Sequence, residues 1–180
     1  MSADRDPRPL TGEPLALDLL NTRWNEEGVS RDLLDGTDGL AVWLAANGLA
    51  GEHPADADVL RHLRQAREAL GAAVDGSPAR GAALVDAVLA HGRIRARLTV
   101  DGAHEEPEFA DASWAPAWLA ARDYLDLLGR APDRIRRCAH EACVLHFFDT
   151  SRNGTRRWCS MASCGNRAKA SRHYARSKES

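Results

Sequence analysis

Long apolar runs are missing from this chain. None of its hydrophobic stretches approaches the roughly 18 residues that a membrane-spanning helix needs. The opening stretch, MSADRDPRPLTGEP, is charged and proline-rich and lacks the apolar centre of a secretory signal. These absences lead to the expectation of a soluble, cytoplasmic protein with no membrane partner, whose thiols stay reduced. Lysine occurs only at Lys169 and Lys178, so arginine supplies almost all of the 24 basic residues. With the high alanine content, that bias is the mark of a GC-rich bacterial genome. Glycine-rich phosphate loops and nucleophile motifs are absent, so no catalytic residue is assigned and no enzymatic activity is expected. Repeats and low-complexity tracts are absent as well. Cysteine is missing from the first 137 residues, then appears four times before position 165.

A chain of 180 residues, 44 % of them hydrophobic, can bury one sizeable core and a small appendage. Its formal net charge of −2 hides a division. Residues 1–133 carry 13 Arg against 23 Asp plus Glu, whereas residues 134–180 carry 11 Arg plus Lys against 3 Asp plus Glu. Such asymmetry points to an acidic domain joined to one that binds a polyanion. The change of sign places a boundary near Gly129 to Asp133, giving domains at 1–130 and 131–180.

Periodicity makes the first domain mainly α-helical. EPLALDLLNTRW spaces Leu15, Leu19 and Leu20 as a helix does, with Pro14 suited to a first turn. NEEGVSRDLLDGTDG is loop-like. Thr37 or Asp38 can cap a helix that Gly48 closes. Residues 55–75 place Val59, Leu63, Ala66, Leu70 and Val74 on one face, and a further helix follows the DGSP interruption. The period then changes: Ile94, Ala96, Leu98 and Val100 alternate with Arg93, Arg95, Arg97 and Thr99. This reads as a half-buried strand with DGAHEEPEFA as its antiparallel partner. Ser113 is placed to cap a last helix. The fold class expected is mainly α with a small β hairpin, an α+β arrangement, followed by a four-cysteine finger.

The cysteines form two C-x4-C pairs, Cys138 with Cys143 and Cys159 with Cys164, separated by 15 residues. Tetrahedral Zn2+ takes four thiolates at about 2.3 Å, and paired knuckles let a short segment supply two from each end. Arg136, Arg137, Arg156 and Arg157 flank them and offset the formal −2 charge that four thiolates give a zinc ion. Two disulfides are the competing arrangement, disfavoured in a reducing compartment, and an iron–sulfur centre is another. His140 and His146 are available as substitute ligands, which four cysteines make unnecessary. Four protein ligands leave no open position for water, so one structural Zn2+ per chain is expected.

RRWCSMASCGNR resembles the signature of CGNR zinc fingers, with the Cys-Gly-Asn-Arg at Cys164, Gly165, Asn166 and Arg167. The preceding RIRRCAHEACVLHFFDTSRNGTRRWCS is similar to the same family. LALDLLNTR at 15–23 and DGLAVWLAANGL at 38–49 resemble the ABATE domain found ahead of such fingers. The resemblance implies a stress-induced or ligand-responsive transcription regulator that binds DNA.

After Cys164, GNRAKASRHYARSK reads as a terminal basic helix with Lys169, Arg172, His173 and Arg176 on one stripe. Ala170 and Tyr174 fall on another stripe, suited to packing on the metal core. Arg156, Arg157, Arg167, Lys169, Arg172 and Arg176 are the candidate nucleic-acid contacts, with Arg167 and Arg172 placed to read bases. Asn166 is better suited to a cap or turn than to a base. Trp158, Phe147 and Phe148 suit the core of a small domain. An RNA-binding or protein-docking module is the alternative use. In the first domain, Asp18, Asn21 and Thr22 share a helix face. They are read either as caps or, with Arg23 beside Trp24 or Trp43, as the rim of a site for a small effector. His53, His62, His91 and His104 show no metal spacing. A homodimer fits a regulator that reads two half-sites.

Overall fold

The computed structural model describes residues 6–169. The short first helix is packed between longer elements. Helix α1 (Leu15–Leu20) begins directly after Pro14 and buries Ala16, Leu17, Asp18 and Leu19. It packs against α3 (Ala57–Asp75), α5 (Ala115–Arg130) and strand β6 (His146–Phe148). The long helices form as their patterns predict. Asp56 caps α3 by accepting from the Asp58 and Val59 amides, and its face of Val59, Leu63, Ala66 and Leu70 is buried. Helix α4 (Pro78–Leu89) starts at a proline, where the missing amide costs nothing.

Helices α3 and α4 form an antiparallel pair that meets closely near its connecting turn. A Cβ on Gly81 would lie 2.3 Å from Ala73 Cα and 2.6 Å from Ala73 N, so only glycine permits this approach. Helix α2 (Thr37–Ala46) ends as expected at Gly48. With φ of +72° there, the Leu49 amide reaches Leu44 O at 2.8 Å. Its start differs from expectation, because the cap position is Gly36 and neither Thr37 nor Asp38 caps it. Ser113 likewise does not cap α5. It sits in a 3-10 turn, Ala112–Trp114, that Asp111 caps.

Strands appear as three two-stranded antiparallel sheets among the described residues. The segment read as loop-like is in fact a hairpin, β1 (Arg23–Glu26) paired with β2 (Val29–Asp32). Its turn consists of Glu27 and Gly28, at φ +50° and +81°, the handedness a two-residue hairpin turn requires. Most of its side chains are exposed, so no alternation of apolar residues signalled it. The expected hairpin is β3 (Gly92–Thr99) with β4 (Gly102–Phe109), in full register from Gly92↔Phe109 to Thr99↔Gly102. It is not half-buried. It leaves Leu98 86 % exposed, and among the described residues no layer covers its apolar side. The third sheet pairs β5 (Ile135–Arg137) with β6.

One continuous apolar core links the helical part to the C-terminal part. It joins Leu17, Leu63 and Leu127 of the helical part to Leu145, Phe147, Phe148 and the cysteines of the C-terminal part. No helix of the described residues is long and apolar enough to cross a membrane.

Candidate metal centre and its seam with the helical domain

Strands β5 and β6 form a short hairpin with the first cysteine pair at its end. The Cys138 amide donates to Leu145 O at 2.9 Å, and the Cys143 amide to His140 O at 2.9 Å, closing a tight loop that aims both thiols to one side. The second pair comes from a distant loop and helix. Cys159 precedes a wide helical turn, Met161–Gly165, that contains Cys164 and continues as α-helix over residues 166–169. The two halves are tied together by the Ala139 amide on Arg157 O at 2.8 Å and the Cys159 amide on Cys138 Sγ at 3.4 Å.

The four Sγ atoms lie within 4.8 Å of one another. Cys143 and Cys159 are 3.8 Å apart, and Cys159 and Cys164 are 3.6 Å apart. A tetrahedron whose vertices stand about 2.3 Å from its centre has edges of about 3.8 Å, so the thiols already outline the zinc geometry. All four cysteines are free, and the spacing is too tight to seat a multi-iron cluster between them. The electrostatics suit a cation as well. The hydrogen bond from Cys159 pulls the Cys143 thiol down to about 5. That same contact, with burial, pushes Cys159 well above the ordinary thiol value. Burial pushes Cys164 up to about 11. Without a cation, one thiolate suppresses the ionisation of its neighbours. A divalent ion at the centre reverses that repulsion. His140 and His146 lie outside the cluster. His140 accepts from the Ala142 amide, and His146 Nε2 lies 3.1 Å from Asp75 Oδ1.

Residues expected to meet nucleic acid divide sharply. Arg156 is consumed inside the protein. Its Nε donates to Trp158 O at 3.0 Å and its Nη2 to Cys159 O at 2.6 Å, its guanidinium carbon stands 4.1 Å from the Phe147 ring centroid, and Glu13 lies 3.4 Å away. This arginine fixes the Cys159 loop and is not presented to a ligand. Arg157, Arg167 and Lys169 are exposed, with Arg157 placed over the Trp158 ring at 5.2 Å. Asn166 donates from Nδ2 to Ala162 O at 3.3 Å, the local role favoured for it. Arg172 and Arg176, with Ala170, His173 and Tyr174, lie outside the described residues.

Reading Asp18, Asn21 and Thr22 as a pocket rim requires correction. The three are 1 %, 0 % and 0 % exposed, and protein groups engage their polar atoms. Asp18 accepts from Arg8 at 2.6 Å, Asn47 at 3.0 Å and the Gly12 amide at 3.1 Å. Thr22 Oγ1 donates to Leu19 O at 2.6 Å and accepts from Arg67 at 2.8 Å. Asn21 Nδ2 donates to His146 O at 2.9 Å, while its Oδ1 accepts from the His146 amide at 2.8 Å. The side-chain amide thus imitates a neighbouring strand and satisfies both backbone groups of one residue in β6. Neighbouring Trp24 and Trp43 are core residues, and Arg23 pairs with Asp32 at 3.0 Å and Glu68 at 2.7 Å. Of the three only Asn21 is a joint to the finger, and no local pattern marks it because its partner lies 125 positions away.

Two further carboxylates hold the site in place, Glu13 across the joint and Asp149 within the finger. Glu13 accepts from the Phe148 amide at 2.9 Å with one oxygen and faces Arg156 with the other. Asp149 is fully buried and accepts from the Ser151 amide at 2.9 Å and the Arg156 amide at 3.0 Å, which organises the loop between them.

Fold and site together define a helical domain fused to a four-cysteine metal finger through a shared core. Comparison with family models agrees with that architecture. Residues 13–131 match ABATE, described as "Putative stress-induced transcription regulator", and residues 134–177 match the CGNR zinc finger. The chain belongs to the ABATE family and carries one structural zinc site in its CGNR finger. Neither family is described as enzymatic. The comparison with curated proteins found no match.

Proposed function

We propose that this protein is a bacterial transcription regulator that binds DNA through its C-terminal finger, with Cys138, Cys143, Cys159 and Cys164 as the zinc ligands. The observation that carries this reading is the exposure of Arg157, Arg167 and Lys169 on a platform held by the thiol cluster. None of the three is consumed by an ion pair among the described residues, unlike the exposed arginines Arg93, Arg95 and Arg97 of the β3–β4 hairpin. Free cations on a rigid support suit phosphate, and the acidic remainder of the chain keeps the attraction local. Arg167, in the helical segment 166–169, is the residue proposed to reach a groove. Arg172 and Arg176 belong to the same proposal by sequence.

The helical domain is proposed to sense a small effector. Helix α3 is the structural basis for a connection, since Asp75 at its end touches His146 of the finger at 3.1 Å.

Titration of the zinc-loaded protein against genomic and random duplexes at several salt concentrations tests the proposal. A steep slope with sequence enrichment supports it. Arg157→Ala is expected to weaken both duplexes alike and to flatten the slope of log K against log salt by about one unit. Arg167→Ala is expected to cost roughly 1–3 kcal/mol on the preferred site and little on random DNA. A steep slope without enrichment points to RNA or non-specific binding, and no binding points to a protein-docking module.

A further inference from the structure

Away from Gly81, α3 and α4 leave a groove between them, lined by the first half of α3 and the last turns of α4, with a cavity volume of about 770 Å3. That is the size range of small-molecule sites. Its floor is apolar, made of Leu60, Ala69, Leu84 and Val88. One end is closed by an aromatic stack. The Trp114 indole lies between two imidazoles, with His62 at 3.9 Å on one face and His91 at 3.5 Å on the other, nearly parallel to both. His62 is buried and held by Ser113 at 3.1 Å, so the stack is anchored on the protein side. His91 is exposed and lines the groove, which makes it the open end of the stack.

The charges around the groove do not cancel. Arg61 is balanced by Asp58 at 2.5 Å, and Glu68 by Arg23 at 2.7 Å. Arg64 has no carboxylate partner among the described residues: its Nε donates to the Leu34 carbonyl at 2.7 Å. Its Nη atoms make no hydrogen bond there, although Arg64 also lines the cavity. An apolar trough with a flat aromatic end and one unneutralised guanidinium has the complement of a small aromatic monocarboxylate. The ring system would occupy the floor against His91, and the carboxylate would take both free Nη groups.

We infer that the α3–α4 groove is a binding site for a small aromatic carboxylate, with Arg64 as its anion receptor. The inference deepens the effector reading above, but its test measures binding alone, so failure of the finger to bind DNA would leave it standing. The full-length, zinc-loaded chain would be titrated by calorimetry with 1-naphthoate and with the neutral 1-naphthalenemethanol. One naphthoate per chain is expected, bound at least about tenfold more tightly than the alcohol, as one charge-assisted contact implies. Arg64→Gln is expected to reduce naphthoate to the affinity of the alcohol. Because Arg64 also holds Leu34, a second variant, Ala87→Trp, fills the groove from an exposed position that makes no such bond. It should abolish binding of both compounds without lowering the melting temperature. Equal affinity for the acid and the alcohol, or full binding to Ala87→Trp, would overturn the site. So would absence of saturable binding, or a dimer that Ala87→Trp dissociates, since the groove would then belong to a second copy of the chain.

Discussion

Asn21 illustrates how one side chain can join two parts of a protein. Its amide is the only side-chain type that offers a carbonyl and an N–H in the geometry of a peptide, apart from glutamine, which is one methylene longer. Buried against β6, it supplies the hydrogen bonds that a third strand would have given. Asn21→Ala should therefore orphan the His146 N–H and C=O together, costing on the order of 1–3 kcal/mol for each group. Thermal or urea unfolding checks this. A loss under 0.5 kcal/mol, typical of an exposed surface change, would show that the seam is not under load. The correction to the expected effector rim follows from the same chemistry, since polar groups on a helix face signal equally a ligand or a packed neighbour.

At the scale of elements, the β1–β2 hairpin is fastened to α3 by ions. Arg67 is 3 % exposed and reaches both Asp32 oxygens, at 2.6 and 2.7 Å. Burial alone would raise the Asp32 carboxyl, but hydrogen bonds from Arg67 and Arg23 outweigh it and hold the group below its ordinary value. A carboxyl depressed in the folded state contributes stability that is fully present above its unfolded pKa of about 3.9 and is lost as pH falls through the folded value. The hairpin should loosen below roughly pH 4. Asp32→Asn should destabilise the protein at neutral pH by on the order of 3 kcal/mol, because it leaves Arg67 buried without its counter-charge. It should also flatten the acid limb of the stability curve. Melting temperatures of both forms between neutral pH and acid provide the check, and parallel curves would contradict the assignment.

Across the whole molecule, the finger and helical domain share one core, and their fates are joined. Zinc removal returns four thiols to a site where one thiolate opposes the ionisation of the rest. The loop and β6 then lose their tether, and with them go the burial of Phe147 and the partners of Asn21 and Glu13. Chelation, or Cys159→Ser, is expected to abolish zinc stoichiometry and to lower the melting temperature of the helical signal as well. Elemental analysis together with far-ultraviolet circular dichroism measures both. An unchanged helical transition after metal loss would show that the two parts are energetically independent.

Local rules made several features legible in the chain itself. The amphipathic helix α3, the glycine stop at Gly48 and the β3–β4 pairing depend on short-range periodicity and turn chemistry. The metal set was legible for a related reason: soft ligands at knuckle spacing have few other uses in a reducing environment. The exposed β1–β2 hairpin carried no apolar alternation, so only its Glu27–Gly28 turn could have betrayed it. Arg156 looked like Arg157 from the sequence, two adjacent cations in one basic run. Tertiary structure turned the first inward onto Phe147 and the Cys159 carbonyl and left the second in solvent. Asn21 and Glu13 were decided in the same way, by partners distant in the chain, and Asp18 and Thr22 by groups that fold back onto α1. Short-range forces are written in neighbouring residues, whereas the fate of a polar side chain depends on which distant backbone folding brings within about 3 Å of it.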